Sequence, residues 1–284
     1  MAGLIFPMMG WAEDCMVIRV PKHKGDQTGE SIGKDKHVYA NPFMPEICPI
    51  LATAVALLCI DRKRGDYRLF TSSTSDQFCN ILSTVLNDTK LVPLDVNLGA
   101  ARQYLGSQSN RKGAATYLQN LSPCFSAPNI NLRAGWSVGT VQDRYIFAGT
   151  GGDQLVGRGA AGLEINSRKF SVLPPHFTKI GVEIGRKIGW GEIIPDFEDL
   201  PACFQQATIH LIASAVHHTP FLRSELDRHH PLFKKRLFTK SIILDGVRYM
   251  NAYEVLKDHV VTGYDRCSDC ARGMTSSGIP NNII

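Results

Sequence analysis

The sequence predicts an α+β fold, mainly helical, with a small antiparallel β-hairpin or sheet near its start. Three observations carry this. Cys15–Val20 (C-M-V-I-R-V) is rich in β-branched residues, and the turn-forming K-G-D-Q-T-G separates it from H-V-Y-A at 37–40. The run I-L-A-T-A-V-A-L-L-C-I at 50–60 is apolar throughout and of helical length. From Pro174 onward, segments at 179–189, 201–218, 221–238 and 251–261 read as helices.

Composition sets the outer limits. At 284 residues, 44% hydrophobic and 20% charged, the chain has ample material for a buried core and is not a disordered polymer. A net charge of +5 fits a polyanionic partner, although many mildly basic enzymes share it. The eight cysteines are scattered, mostly in apolar runs, and no signal peptide is evident, so they read as buried thiols in a reducing compartment. The longest apolar stretch, 47–60, contains Pro49 and is too short to span a bilayer, so no membrane partner is expected.

In chain order, residues 1–10 read as a strand or an arbitrary start. The hairpin follows, carrying Lys22 and Lys24 near its bend, where a lysine is ordinarily just solvated. Pro42, Pro45 and Pro49 bracket a turn into the buried helix at 50–60. D-R-K-R-G-D-Y-R at 61–68 is a charged loop, more often plain surface than a backbone-tracking site. Residues 73–86 show a capping pattern and place Phe78, Ile81, Leu82, Val85 and Leu86 on one face, which predicts a core helix.

Gly106 leads into a helix bearing Arg111, whose Gly113, Ala114 and Ala115 allow close approach of a neighbour. A loop at 122–129 precedes N-I-N-L-R-A-G, a short helix ending at a glycine cap, Gly135, beside Trp136. Residues 140–148 have helical propensity and present Tyr145. G-T-G-G-D-Q-L-V-G-R-G-A-A-G has neither the strand before it nor the spacing of a dinucleotide loop, and reads as a flexible connection. G-E-S-I-G-K-D at 29–35 is one residue short of a phosphate loop. The pairs His217-His218 and His229-His230 point their rings apart and chelate poorly. Cys267 and Cys270, with His259, make at most half a zinc site, so no metal is expected.

The chemistry-bearing stretch runs from Gly106 to Tyr145. Arg111, Trp136 and Tyr145 follow one another at steps of 25 and nine residues. A tyrosine oxygen can form a phosphate ester, so a phosphodiester bond is exchanged without hydrolysis. An arginine fork binds two non-bridging oxygens and stays cationic. An indole N–H donates without competing for the proton. These types suit a DNA strand-exchange site that uses no cofactor.

The pattern resembles the tyrosine recombinase (phage-integrase) superfamily: H-x-x-R, then G-H or G-W, then a tyrosine nine residues on. The wording R-K-G-A-A-T-Y…R-A-G-W-S-V-G-T-V-Q-D-R-Y-I is most similar to the divergent recombinases of eukaryotic mobile elements. V-P-K-H-K-G-D-Q-T-G, K-H-V-Y-A-N-P-F-M-P-E-I-C-P-I-L and G-D-Q-L-V-G-R-G…F-S-V-L-P-P-H-F fit the same group. The likeness covers roughly residues 11–177, then runs more loosely to 278–280.

The resemblance implies a tyrosine-recombinase-like catalytic domain over 1–160 and a helical C-terminal extension over 161–284. It implies Tyr145 as nucleophile, Arg111 and Trp136 on the phosphorane, Gln108 on a phosphate oxygen, and Lys24 (Lys22 in reserve) as general acid. Lys22, Lys112, Arg133 and Arg144 are the accompanying DNA contacts. The partner would be double-stranded DNA, bound by a homo-oligomer, in the nucleus if the element is eukaryotic and otherwise inside the cell.

Two departures predict weak activity or none. Gln108 stands where the motif has histidine and cannot exchange a proton near neutral pH, a loss on the order of 10²-fold. The family's earlier arginine has no counterpart before Arg19, which removes about 3 kcal/mol of transition-state stabilisation. With the DNA-clamping domain also missing, the chain reads as a 5′-truncated element copy or an incomplete gene model. The rival readings are a DNA-binding module without chemistry, and a zinc-supported interaction scaffold around Cys267 and Cys270.

Overall fold

Strands β1 (Met9–Ala12), β2 (Cys15–Ile18) and β3 (Lys36–Val38) form an antiparallel sheet in that order. The computed structural model describes residues 4–19, 35–63, 65–70, 75–87, 105–106, 108–136 and 150–263. The hairpin expected between 15–20 and 37–40 is present, and the early apolar segment adds a third strand. Cross-strand partners share a face, and their alternation decides what each face buries. Met9 pairs with Ile18, Trp11 with Met16 and Met16 with Val38, all towards one core. Val17 pairs with His37 and joins Cys15 and Tyr39 towards a second core. A sheet buried on both sides explains why C-M-V-I is apolar without interruption.

Helix α1 (Pro49–Cys59) starts where the Cys48 Sγ accepts the Leu51 N–H and Pro49 needs no partner. It buries Ile50, Leu51, Ala54, Leu57 and Leu58, as expected. Helix α2 (Ser75–Leu86) forms where predicted, but not as a core helix: Ile81 is 63% and Val85 50% exposed. Helices α3 (Ser109–Leu121), α4 (Ala127–Ala134) and α5 (Thr150–Ala160) pack together over the second core.

Helix α5 overturns the expectation of a flexible connection. Its glycines are not breakers but points of close approach. A Cβ on Gly157 would stand 2.5 Å from the His37 carbonyl oxygen, and one on Gly159 2.6 Å from the Phe125 ring. Removing side chains there lets the helix lie against β3 and α3, and that burial outweighs the roughly 1 kcal/mol each glycine costs a helix. Gly113 plays no such part: nothing lies within 4 Å of its Cβ position, and only Ala115 of that trio is buried.

Beyond residue 160 come β4 (Leu173–Phe177), α6 (Lys179–Ile188), α7 (Trp190–Ile193), α8 (Ala202–His217), α9 (Thr219–Glu225), α10 (Arg236–Thr239), β5 (Ile242–Leu244), β6 (Val247–Tyr249), α11 (Ala252–Leu256) and β7 (Val260–Gly263). The region is not all helical. β4 pairs with β7 and β5 with β6, both antiparallel. The single helix expected over 221–238 is broken: α9 ends at Glu225, where Leu226 turns extended, and a 3-10 turn starting at Pro231 precedes α10. The helix expected over 251–261 ends early, and its β-branched end forms β7.

Helix α8 is the hub of the first core, touching α1, β1 and β4. Phe204 stacks on Phe6 at 4.1 Å and His210 on Trp11 at 4.0 Å. Each of the two buried clusters takes residues from both sides of residue 160. The fold is thus α+β and mainly helical, with small antiparallel sheets.

Candidate functional site

Helix α3 opens at Gln108, whose side chain does not cap it; the Gly106 N–H donates instead to the Ser109 Oγ. Gln108, Arg111 and Lys112 are all exposed on this first stretch. Among the described residues no carboxylate lies within ion-pair distance of Arg111 or Lys112. Ala115 and Leu118, one and two turns further along the same stripe as Arg111, anchor the helix in the second core.

Helix α4 is built by its caps. Ser126 Oγ accepts the Asn129 N–H at the start. At the end Gly135 takes the left-handed conformation (φ 70°), and the Trp136 N–H returns to the Asn131 carbonyl at 2.8 Å. This glycine-capped ending fixes Trp136 directly after the helix, partly buried against the second core. α3 and α4 pack on each other, so the sequence-predicted Arg111 and Trp136 stand on adjoining elements. Tyr145, Arg144, Lys22 and Lys24 lie outside the described residues, as do Cys267 and Cys270.

Arg133, predicted as a DNA contact, is engaged inside the protein. Its Nη1 donates to Asp153 Oδ2 at 2.8 Å and its Nη2 to the His37 carbonyl at 2.7 Å. The same Asp153 oxygen accepts the His37 N–H at 2.8 Å and lies 2.9 Å from the His37 Nδ1. Lys36 Nζ reaches the Leu132 carbonyl at 3.0 Å and forms an ion pair with Asp153 Oδ1 at 3.8 Å, too long for a hydrogen bond. Burial alone would raise the Asp153 carboxyl, but the His37 hydrogen bonds and the Arg133 guanidinium outweigh it and hold it below the ordinary range.

A second buried charge pair lies deeper. Arg158, 1% exposed, donates to Asp14 Oδ2 at 2.6 Å and to the Phe170 carbonyl at 3.1 Å. Its guanidinium carbon sits 4.1 Å above the centre of the Tyr39 ring. Burial, with Asp14 alongside, pushes the Cys15 thiol up to about 12, and burial raises the Tyr39 phenol as well. Neither group ionises at neutral pH, so this cluster is scaffold and offers no nucleophile.

Sequence reasoning did not single out Asp153, Arg158, Asp14 or His37. For Asp153 and Arg158 the available signal was a lone acid and a lone base in a stretch of mostly small residues, 150–161. A cavity of about 330 Å³ lies elsewhere, between Phe6, Leu57, Tyr67, Ile194 and Lys235, and none of the predicted site residues lines it. Among the described residues no cluster of three or more His, Cys, Asp or Glu is placed to hold a metal, and no helix is long and apolar enough to cross a membrane. No protein-family model, no curated protein and no solved structure matches this chain.

Proposed function

We propose that this chain is a tyrosine-recombinase-like protein of a mobile element that binds double-stranded DNA and exchanges strands through a phosphotyrosine. The supporting observation is the pair Arg111 and Lys112, exposed at the start of α3 with no carboxylate partner among the described residues, on a helix that packs against α4, whose capped end is followed by Trp136. A cation left unneutralised on a rigid helix is a ready contact for a backbone phosphate.

In this reading the Tyr145 oxygen attacks phosphorus and forms a 3′-phosphotyrosyl ester as the P–O5′ bond breaks. Lys24 supplies the proton to the departing 5′ oxygen, and Arg111 and Trp136 stabilise the non-bridging oxygens. The phenolic proton passes to solvent, since Gln108 contacts phosphate but cannot accept it. A 5′ hydroxyl of another strand reverses the steps, so two copies on paired DNA sites are required. Gln108 also favours a second reading, in which the same surface binds DNA without cleaving it.

Both readings place Arg111 and Lys112 on phosphate. The double variant Arg111→Ala/Lys112→Ala is expected to flatten the slope of log affinity against log salt by about 1.8, two phosphate contacts at roughly 0.9 each. Fluorescence anisotropy on a labelled duplex over a salt series measures it. An unchanged slope would remove this surface from the DNA interface and both readings with it.

A further inference from the structure

We propose that Asp153 is a positioning residue, the buried anchor that sets Trp136 and the β2–β3 hairpin in place relative to Arg111. Its Oδ2 gathers three segments distant in sequence: the His37 amide and ring from β3, the Arg133 guanidinium from the last turn of α4, and its own α5. Each adjoins a part of the predicted site. Arg133 lies three residues before Trp136, β3 follows the segment that carries Lys22 and Lys24, and α5 begins five residues after Tyr145.

The arrangement does more than fill a core. Arg133 bridges Asp153 and the His37 carbonyl with separate nitrogens, so α4 is fixed in rotation as well as distance. Lys36 adds a bond from β3 to the Leu132 carbonyl in the last turn of α4, which also accepts the Gly135 N–H. Gly152 completes the contact from α5, where a Cβ would stand 2.8 Å from the Asn129 side-chain oxygen. Asp153 therefore touches no DNA. It acts through Arg133 and His37, and losing it frees the end of α4 while α3 keeps its own anchors, Ala115 and Leu118.

The catalytic consequence rests on the strand-exchange reading, but the positional claim does not, and the test separates them. The chain has three tryptophans, two of them, Trp11 and Trp190, in the other core. With 5-fluorotryptophan incorporated and the Trp136 line assigned by Trp136→Phe, Asp153→Ala is expected to shift or broaden the Trp136 ¹⁹F resonance alone. Asp153→Asn, which keeps an acceptor for the His37 amide, restores part of the shift. Movement of all three resonances would show a general loss of packing, and movement of none an inert contact; either overturns the proposal. On a nicked duplex at saturating concentration, Asp153→Ala is expected to slow covalent adduct formation by about 10²-fold with duplex affinity unchanged. An unchanged rate would overturn the catalytic consequence. A wild-type protein that forms no adduct would sink the strand-exchange reading and leave the fluorine result to decide the role of Asp153.

Discussion

Arg158→Met is expected to cost the fold about 3–5 kcal/mol, the usual penalty for removing one partner of a buried ion pair. Among the described residues no other cation pairs with Asp14. Arg158 is 1% exposed and binds Asp14 on the β1–β2 turn and the Phe170 carbonyl after α5. Methionine fills much of the volume and keeps the contact with Tyr39, so the loss is electrostatic: Asp14 is left as a buried, uncompensated carboxylate. The double variant Asp14→Asn/Arg158→Met removes that charge and should recover a large part of the stability. Urea midpoints of the three variants give the comparison. A single variant that loses less than about 1 kcal/mol would mean the pair is solvated and not structural.

Acid is expected to destabilise the protein between pH 6.5 and about 4, through histidines on its central helix. Burial lowers His210 from 6.5 to about 3, with His176 facing it, and lowers His218 to about 4, with His217 against its ring. Among the described residues, His210 Nδ1 and His218 Nε2 are closed off without a hydrogen-bond partner. Because the folded state holds these rings neutral, the unfolded chain binds more protons. Stability is then fully present above 6.5 and falls as pH drops towards the folded values. By pH 4 each ring contributes a loss on the order of 3 kcal/mol. Asp153, held low by His37 and Arg133, adds its own loss only below the ordinary carboxylate range. Denaturation midpoints measured across pH 4–7 should flatten in His210→Phe, which keeps the stack on Trp11, and in His218→Leu. A wild-type midpoint that does not change over this range would contradict the burial of both rings.

Local rules made some elements legible and hid others. The caps of α4, a serine before a proline and a glycine after the last turn, announce its ends, because both satisfy backbone groups next to them in sequence. The strands β2 and β3 were readable from β-branched content and the turn-forming residues between them. Helix α5 was not: four glycines look like breakers until the His37 carbonyl and the Phe125 ring, both distant in sequence, take up the vacated space. The β5–β6 hairpin carried a signal that went unused. Asp245-Gly246, at φ 48° and 82°, sits between I-I-L and V-R-Y, the dipeptide and flanks of a two-residue turn. For α2 the period was right, but a period tells which residues share a face and not what covers it.

The site divides in the same way. Arg111 and Trp136 were chosen by residue type and spacing, and the structure sets Arg111 on α3 and Trp136 just past the end of α4, which packs on α3. Asp153 could not be found so, since its bond to His37 spans 116 residues and no spacing rule reaches across that interval. Arg133 shows the opposite error. A basic residue near a predicted phosphate site was assigned outward, whereas a buried carboxylate takes it inward.

The central claim is that Tyr145 becomes covalently joined to DNA. The most direct measurement incubates the protein with a pool of duplexes of varied sequence, each nicked beside the bond to be cut so that the freed fragment escapes, and separates denatured products by size. A slow, metal-independent protein–DNA adduct is expected, one that Tyr145→Phe abolishes and Arg111→Ala reduces by about 10²-fold or more. A protein that binds these duplexes but never shifts in mass, or an adduct that persists in Tyr145→Phe, would contradict it.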